Sequence, residues 1–229
     1  MAKKTALQIV NQTLREINQT VLTDFSSISG QAQIALDYIN QAQEVLFNEE
    51  NWYSLYTTRT FSTVASTATV ALASDFGRGV DLINLTSNMR LEENYIKVMD
   101  FKDSGALQEG TPELFALTGT NYEFYPIPNA VYSIRERYWA MPTDLSAVSD
   151  TSALPIEAQP ALLHYVKASV LGYLNRYELS QFHFARYNVE LKRAMKANKR
   201  KLDHIDSFRD TNEMFAFGAP RLPTNYPRR

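Results

Sequence analysis

The sequence holds no cysteine. That excludes disulfides, thiolate nucleophiles, iron–sulfur clusters and cysteine zinc sites in one step. Long apolar runs are missing too: no stretch approaches the roughly 18 residues that mark a spanning helix. The opening MAKKTALQIVNQTLREINQ has no apolar core of signal-peptide type. The chain is therefore expected to be made, and to stay, in a cytoplasm until it is assembled into something. Charge of one sign is also absent. The 23 Lys and Arg stand against 25 Asp and Glu, for a formal net charge of -2, so bulk charge announces no nucleic-acid binder.

Catalytic signatures are equally scarce. The histidines at 164, 183 and 204 match no local zinc spacing, and no HExxH occurs; all three are expected on helix surfaces. Gly77-Arg78-Gly79 lacks the third glycine and the strand-to-helix setting of a dinucleotide loop, and reads as a turn. There is no GxxxxGK[ST] and no GxSxG. Glu49-Glu50 and Glu92-Glu93 are adjacent pairs whose members would face opposite ways in a strand, so neither forms a glycosidase dyad by itself. No catalytic residue, cofactor or metal is expected, and the chain reads as non-enzymatic.

What is present is a normal globular composition, 45% hydrophobic over 229 residues, with a somewhat rich aromatic share of 12%. Tyr and Trp favour interfaces because they bury area while keeping a polar handle. Ala6, Ile9, Val10, Thr13, Leu14 and Ile17 fall on one face of a helix from about Lys4 to Asn18. A second helix is predicted from about Ser29 to Glu50, with the stripe Ala32, Ala35, Tyr38, Ile39, Ala42, Val45 and Leu46. The two stripes predict an antiparallel hairpin.

After Trp52 the period changes. Residues 55–73 read LYTTRTFSTVASTATVALA, alternating Thr and Ser with apolar residues, which is strand chemistry. Further strands are predicted at Val80–Leu85, Asn94–Asp100, Glu113–Leu117, Asn121–Pro126 and Tyr132–Met141, with a hairpin around the GlyThrAsn at 119–121. Helical period returns after Pro155, placed as a first-turn proline, with Ile156, Leu162, Leu163, Val166, Val170, Tyr173 and Leu174 on one face. A last helix is predicted from about Leu179 to Asp203. Trp52 and Trp139 sit at predicted element boundaries and are expected to be core or interface anchors.

The fold class expected is α+β. Residues 1–51 and 154–205 form an antiparallel helical bundle, because two distant hairpins cannot each bury a face alone. Residues 52–141 form an inserted small antiparallel β domain, 142–153 a linker and 206–229 an extended C-terminal arm.

Two segments invite partners. Lys192, Arg193, Lys196, Lys199, Arg200 and Lys201 form a basic run with no acidic residue among them. It reads either as a solvated helix end or as a surface facing phosphates or an acidic partner, without the aromatic ladder that would stack bases. The tail combines Pro220, Pro223 and Pro227 with Phe215, Phe217, Leu222, Tyr226, Arg228 and Arg229. Barred from regular structure yet apolar, it is expected to dock on another surface.

The order of elements resembles the head-to-tail adaptors of short-tailed bacteriophages, of the tail tubular protein A type. Two leading helices run into Asn51-Trp52-Tyr53-Ser54-Leu55 and a β region. The chain returns with Leu154-Pro155-Ile156-Glu157-Ala158 and ends in a basic helix from Ala185 to Lys201 and an arm. The resemblance implies a structural subunit of the virion tail or neck. It would form a ring of about twelve copies below the portal protein, extend the DNA channel with non-specific DNA contact, and dock the tail tube or nozzle, with no membrane partner. The alternative is a carbohydrate-binding or carbohydrate-processing tail protein using an aromatic-rich β face.

Overall fold

The computed structural model describes residues 2–26, 28, 30–105 and 108–216, with the backbone alone from residue 203 onward. These residues form an α+β structure with five helices and a mostly antiparallel sheet.

Helix α1 (Ala6–Glu16) starts on a capping box. The Thr5 hydroxyl accepts from the Gln8 amide, and the Gln8 side chain accepts from the Thr5 amide. It buries Ala6, Ile9, Val10, Thr13 and Leu14, the predicted stripe. Helix α2 (Gly30–Glu49) buries Ala32, Ala35, Leu36, Ile39, Ala42 and Leu46. Helix α4 (Gln159–Tyr173) and helix α5 (Tyr177–Ala216) complete this layer. All four helices share one core, in which Ile9, Ile39, Leu46, Leu162, Val166 and Tyr187 meet. Trp52 is fully buried there and donates its indole N–H to the Leu46 carbonyl at 2.6 Å. Trp139 packs against the same cluster, partly buried, with its ring edge-on to Tyr56.

Between α2 and α4 the chain makes strands β1 (Tyr56–Ser62), β2 (Thr69–Ala71), β3 (Phe76–Asn84), β4 (Met89–Glu93), helix α3 (Tyr95–Asp103), and strands β5 (Glu109–Gly110), β6 (Leu114–Thr118), β7 (Asn121–Tyr125), β8 (Ile127–Pro128) and β9 (Ser133–Ala140). Seven of the strands form one sheet in the order β1-β9-β3-β4-β6-β7-β2. The hairpin at 119–121 is present, with Thr118 opposite Asn121 and Gly119 in the left-handed region that its turn requires. The sheet is not purely antiparallel as expected, because β4 pairs with β6 in parallel; β5 and β8 form a separate two-stranded parallel pair. A second core fills the sheet with Leu82, Leu91, Phe115, Tyr122, Phe124 and Ile134.

Four local expectations are corrected. Residues 94–100 are not a strand. Asn94 caps α3, accepting from the Lys97 amide at 3.1 Å, and only Val98 of that helix is buried. Gly77-Arg78-Gly79 is not a turn but the body of β3. A Cβ on Gly77 would stand 2.3 Å from the Phe47 ring and 2.8 Å from the Trp139 carbonyl. The glycine lets the strand lie against α2, and β3 shifts register on either side of Arg78. Pro155 precedes a short 3-10 turn (Ile156–Ala158), and it is Pro160 that stands in the first turn of α4. Finally, α5 continues to Ala216, so residues 206–216 are helical rather than extended. No Gly or Pro occurs between Gly172 and Gly218 to stop it.

Residues 142–153 are tied down along their length. The Asn40 amide donates to the Leu145 carbonyl and its oxygen accepts from the Leu145 amide. The Gln43 side chain donates to the Thr143 carbonyl, and the Ala6 amide to the Asp150 carbonyl.

The glycine contact gives a direct test. Gly77→Ala should destabilise the protein by about 1–3 kcal/mol through overpacking. Gly79→Ala, whose nearest neighbour would be 3.5 Å away, should cost clearly less. Denaturant unfolding of the two variants side by side decides this; equal midpoints would mean that the approach of β3 to Phe47 is slack.

Candidate functional site

Helix α5 carries the chemistry that the sequence singled out. Its inward face buries His183, Tyr187, Leu191, Ala194 and Asn198, at the three- and four-residue spacing of a helix seated on a core. The basic residues divide between two jobs. Lys201 is spent inside the chain. Its ammonium donates to Glu157 Oε1 at 2.8 Å and to the Tyr53 hydroxyl at 2.8 Å, and lies 4.2 Å from the Tyr53 ring centroid. Glu157 is held below the ordinary carboxylate range chiefly by that hydrogen bond. One turn earlier, Asn198 accepts from the Tyr53 amide at 2.9 Å and donates to the Asn51 carbonyl at 2.8 Å.

Lys192, Arg193, Lys196, Lys199 and Arg200 are exposed. Only Arg193 has an ion-pair partner among the described residues, Glu190 at 2.7 Å. Taken at 100° per residue, the five fall on one outward arc, opposite the buried face. Upstream on the same outward line stand Phe182 and Val189, 53% and 44% exposed, with Ala185 between them. Leu179 and Phe184 flank it and are exposed as well. This apolar half of the surface was not singled out from the sequence, where its three- to four-residue spacing looks like core. Of the tail residues, Phe215 lies on the helical backbone of α5; Phe217, Leu222, Tyr226, Arg228 and Arg229 lie outside the described residues.

The histidines also depart from expectation. His183 is buried, and its Nδ1 lies 3.0 Å from Nδ1 of His164. Its Nε2 stands 3.4 Å from Glu16 Oε1, while Lys167 donates to Glu16 Oε2 at 2.6 Å. The cluster joins α1, α4 and α5. The side chain of His204 lies outside the described residues. No group of three or more His, Cys, Asp or Glu among the described residues is arranged to hold a metal. The clefts of the β region are lined by residues such as Val80, Asp81, Leu91 and Phe115, and Asp81 is committed to ion pairs with Arg137 and Arg90.

Helix α5, the longest of the described helices, thus presents an exposed face that is apolar in its first part and basic in its second. The sequence matches the model of the SU10 adaptor protein family over residues 4–210. The chain belongs to that family, and it is a bacteriophage head-to-tail adaptor, a structural component of virion assembly. No curated protein matches it. Among the described residues, no helix is long and apolar enough to cross a membrane.

The histidine pair predicts a pH dependence. Burial first, and then electrostatic interaction with the neighbouring His183 and Lys167, holds the pKa of His164 below its ordinary 6.5. The folded chain thus takes up this proton less readily than the unfolded one. The stabilisation is complete above about pH 6.5 and is lost as pH falls through the folded value. Glu16, depressed chiefly by its hydrogen bond to Lys167, acts only below its ordinary 4.5. Urea midpoints of the native protein should therefore fall as pH drops below 6.5, and those of His164→Gln should fall less over that window. Parallel curves for the two would show that His164 does not titrate with folding.

Proposed function

We propose that this adaptor works as a ring, of about twelve copies, below the portal protein, extending the DNA channel and offering a docking face for the tail tube or nozzle. The observation that carries the reading is the family match itself. It runs through the helical layer, the inserted β region and α5 as far as residue 210, so both parts of the chain belong to one adaptor unit. The exposed outer face of α5 supports the reading, because a subunit with neighbours on several sides must leave such a surface uncovered when alone. DNA contact, where it occurs, is non-specific. Lysines and arginines without stacking aromatics neutralise phosphates and read no base.

The carbohydrate alternative loses its footing in the β region. Phe61, Phe76, Phe115, Tyr122 and Phe124 pack on one another as core rather than forming a sugar-facing platform.

In this reading, residues Phe215 to Arg229 hold the portal. The apolar side chains of that segment gain by burial, and its prolines lower the entropy lost on docking. Deleting 215–229 should leave a folded, soluble protein that no longer co-purifies with portal. The mass of the wild-type complex with its portal should show a many-copy ring; one or two copies per portal would sink the ring. Full occupancy by the truncated chain would dismiss the arm.

A further inference from the structure

The outer face of α5 changes character along its length. Phe182, Ala185 and Val189 lead into Lys192, Lys196 and Lys199 along one helical line, all exposed. A surface serving phosphates has no use for the first half, whereas a helix packing on another protein uses both. The question is what chemistry faces the basic half.

The same chain supplies it. Between Arg15 and Arg59 there is no Lys and no Arg. In α2 the charged residues are Asp37, Glu44 and Glu49, all exposed. Asp37, Gln41, Glu44 and Asn48 follow one another at three- and four-residue spacing, opposite the face that α2 buries. One strip is acidic and polar, the other basic, and each sits on a helix whose other side is fixed in the core.

Their placement within one subunit keeps them from meeting each other. Helix α4 packs against both α2 and α5, while α2 and α5 touch little. Asn51, just past the end of α2, is held by Asn198, and Glu157, just before α4, is held by Lys201. The end of α2, the start of α4 and residues 198–201 of α5 are thus level, so α2 and α5 run in the same direction and α4 against them. At 1.5 Å per residue, Asp37–Glu49 and Lys192–Arg200 both lie within roughly 20 Å of that level. A rotation about an axis along the helices would carry the α5 strip of one copy to the α2 strip of the next at the same height. Two different complementary patches related by rotation without translation make a contact that closes.

We infer that the outer face of α5 docks on the outer face of α2 of a second copy, with Lys192, Lys196 and Lys199 against Asp37, Gln41 and Glu44. The inference rests on the ring reading only for closure; the pairwise contact stands or falls alone. The absence of cysteine makes the test clean. Glu44→Cys and Lys196→Cys both replace exposed side chains and give each variant a single thiol. Mixed at high concentration and low salt with a short bis-maleimide, the two should yield several times more cross-linked dimer than either variant alone, and added salt should suppress it. Reversing the basic strip (Lys192→Glu, Lys196→Glu, Lys199→Glu) should abolish association. Reversing Asp37 and Glu44 to Lys in the partner copy should restore it. A mixture that cross-links no better than the single variants overturns the contact, also when the basic-strip reversal releases duplex DNA, which would assign that strip to phosphates. Many copies on the portal without this cross-link would overturn the contact and leave the adaptor reading standing.

Discussion

The chain leaves the helical layer at Asn51 and returns to it at Leu154, and one stretch of α5 holds both passages. Asn198 takes the Asn51 carbonyl and the Tyr53 amide, while Lys201 takes the Tyr53 hydroxyl and Glu157. From the other side, Arg78 of β3 donates to the Asn51 side chain and to the Phe47 carbonyl, with its guanidinium 4.8 Å from the Phe47 ring centroid. Together with the bonds of residues 142–153 to α1 and α2, these contacts fix an insertion of some hundred residues at both of its ends. With them, the sheet and the helices share a fixed angle. A subunit that must meet several neighbours at once needs that fixity, because each contact would otherwise cost the entropy of ordering the joint. Asn198 is buried and contributes both a donor and an acceptor, so neither backbone group of the junction is left unpaired.

Inside the sheet the specifying interactions are charged. Glu136 is fully buried and accepts from Arg59 at 2.6 Å and from the Tyr122 hydroxyl at 2.7 Å; burial first, and then Glu136, pushes the Tyr122 pKa upward. Arg59 and Glu136 are direct cross-strand partners, as are Asp81 and Arg137. Buried pairs of this kind add little net stability over apolar residues of the same shape. Their effect here is on register. Slipping β9 by one residue would turn Glu136 away from Arg59 and bury unpaired charges. That matters for a sheet with a mixed strand order and two register shifts in β3, where hydrophobic alternation alone leaves several pairings open.

Much of this was legible in the sequence. The α+β class, the α1 stripe, the buried Trp52 and the 119–121 hairpin followed from periodicity and turn chemistry, each a local signal. What failed depended on tertiary context. Gly77 and Gly79 read as a turn because glycine most often marks one, while Gly77 here makes room for Phe47. Residues 94–103 alternate weakly, and the Asn94 cap decided for a helix. β4, with only Leu91 buried among Met89–Glu93, has too little apolar signal to be seen. For the candidate surface, the basic run was plain as composition. That Lys201 turns inward while Lys196 and Lys199 turn out could not be known before α5 had a core face. Phe182 and Val189 show the same limit: in the first half of α5 apolar residues such as Leu179, Phe182, Phe184 and Tyr187 stand on several sides, so sequence alone does not tell which positions the core takes.

The net charge of -2 is small only as a sum. The stretch from Glu16 to Tyr56 is purely acidic in its ionisable charges, and the stretch from Lys192 to Lys201 purely basic. Summed over the chain they nearly cancel, which keeps self-repulsion low in a crowded assembly. Taken separately they make a subunit with two unlike faces. Unlike faces select head-to-tail contact between copies and disfavour the two-fold contact of a patch with itself, since a basic strip repels its own image. In the proposed ring, the same segregation would separate two roles that a uniformly basic lumen would merge: gripping a neighbour and letting DNA slide. Phosphate binding grows with the number of cations presented. On the proposed contact, a subunit that neutralises its basic strip against the next copy would carry positive charge for assembly without adding it to the channel.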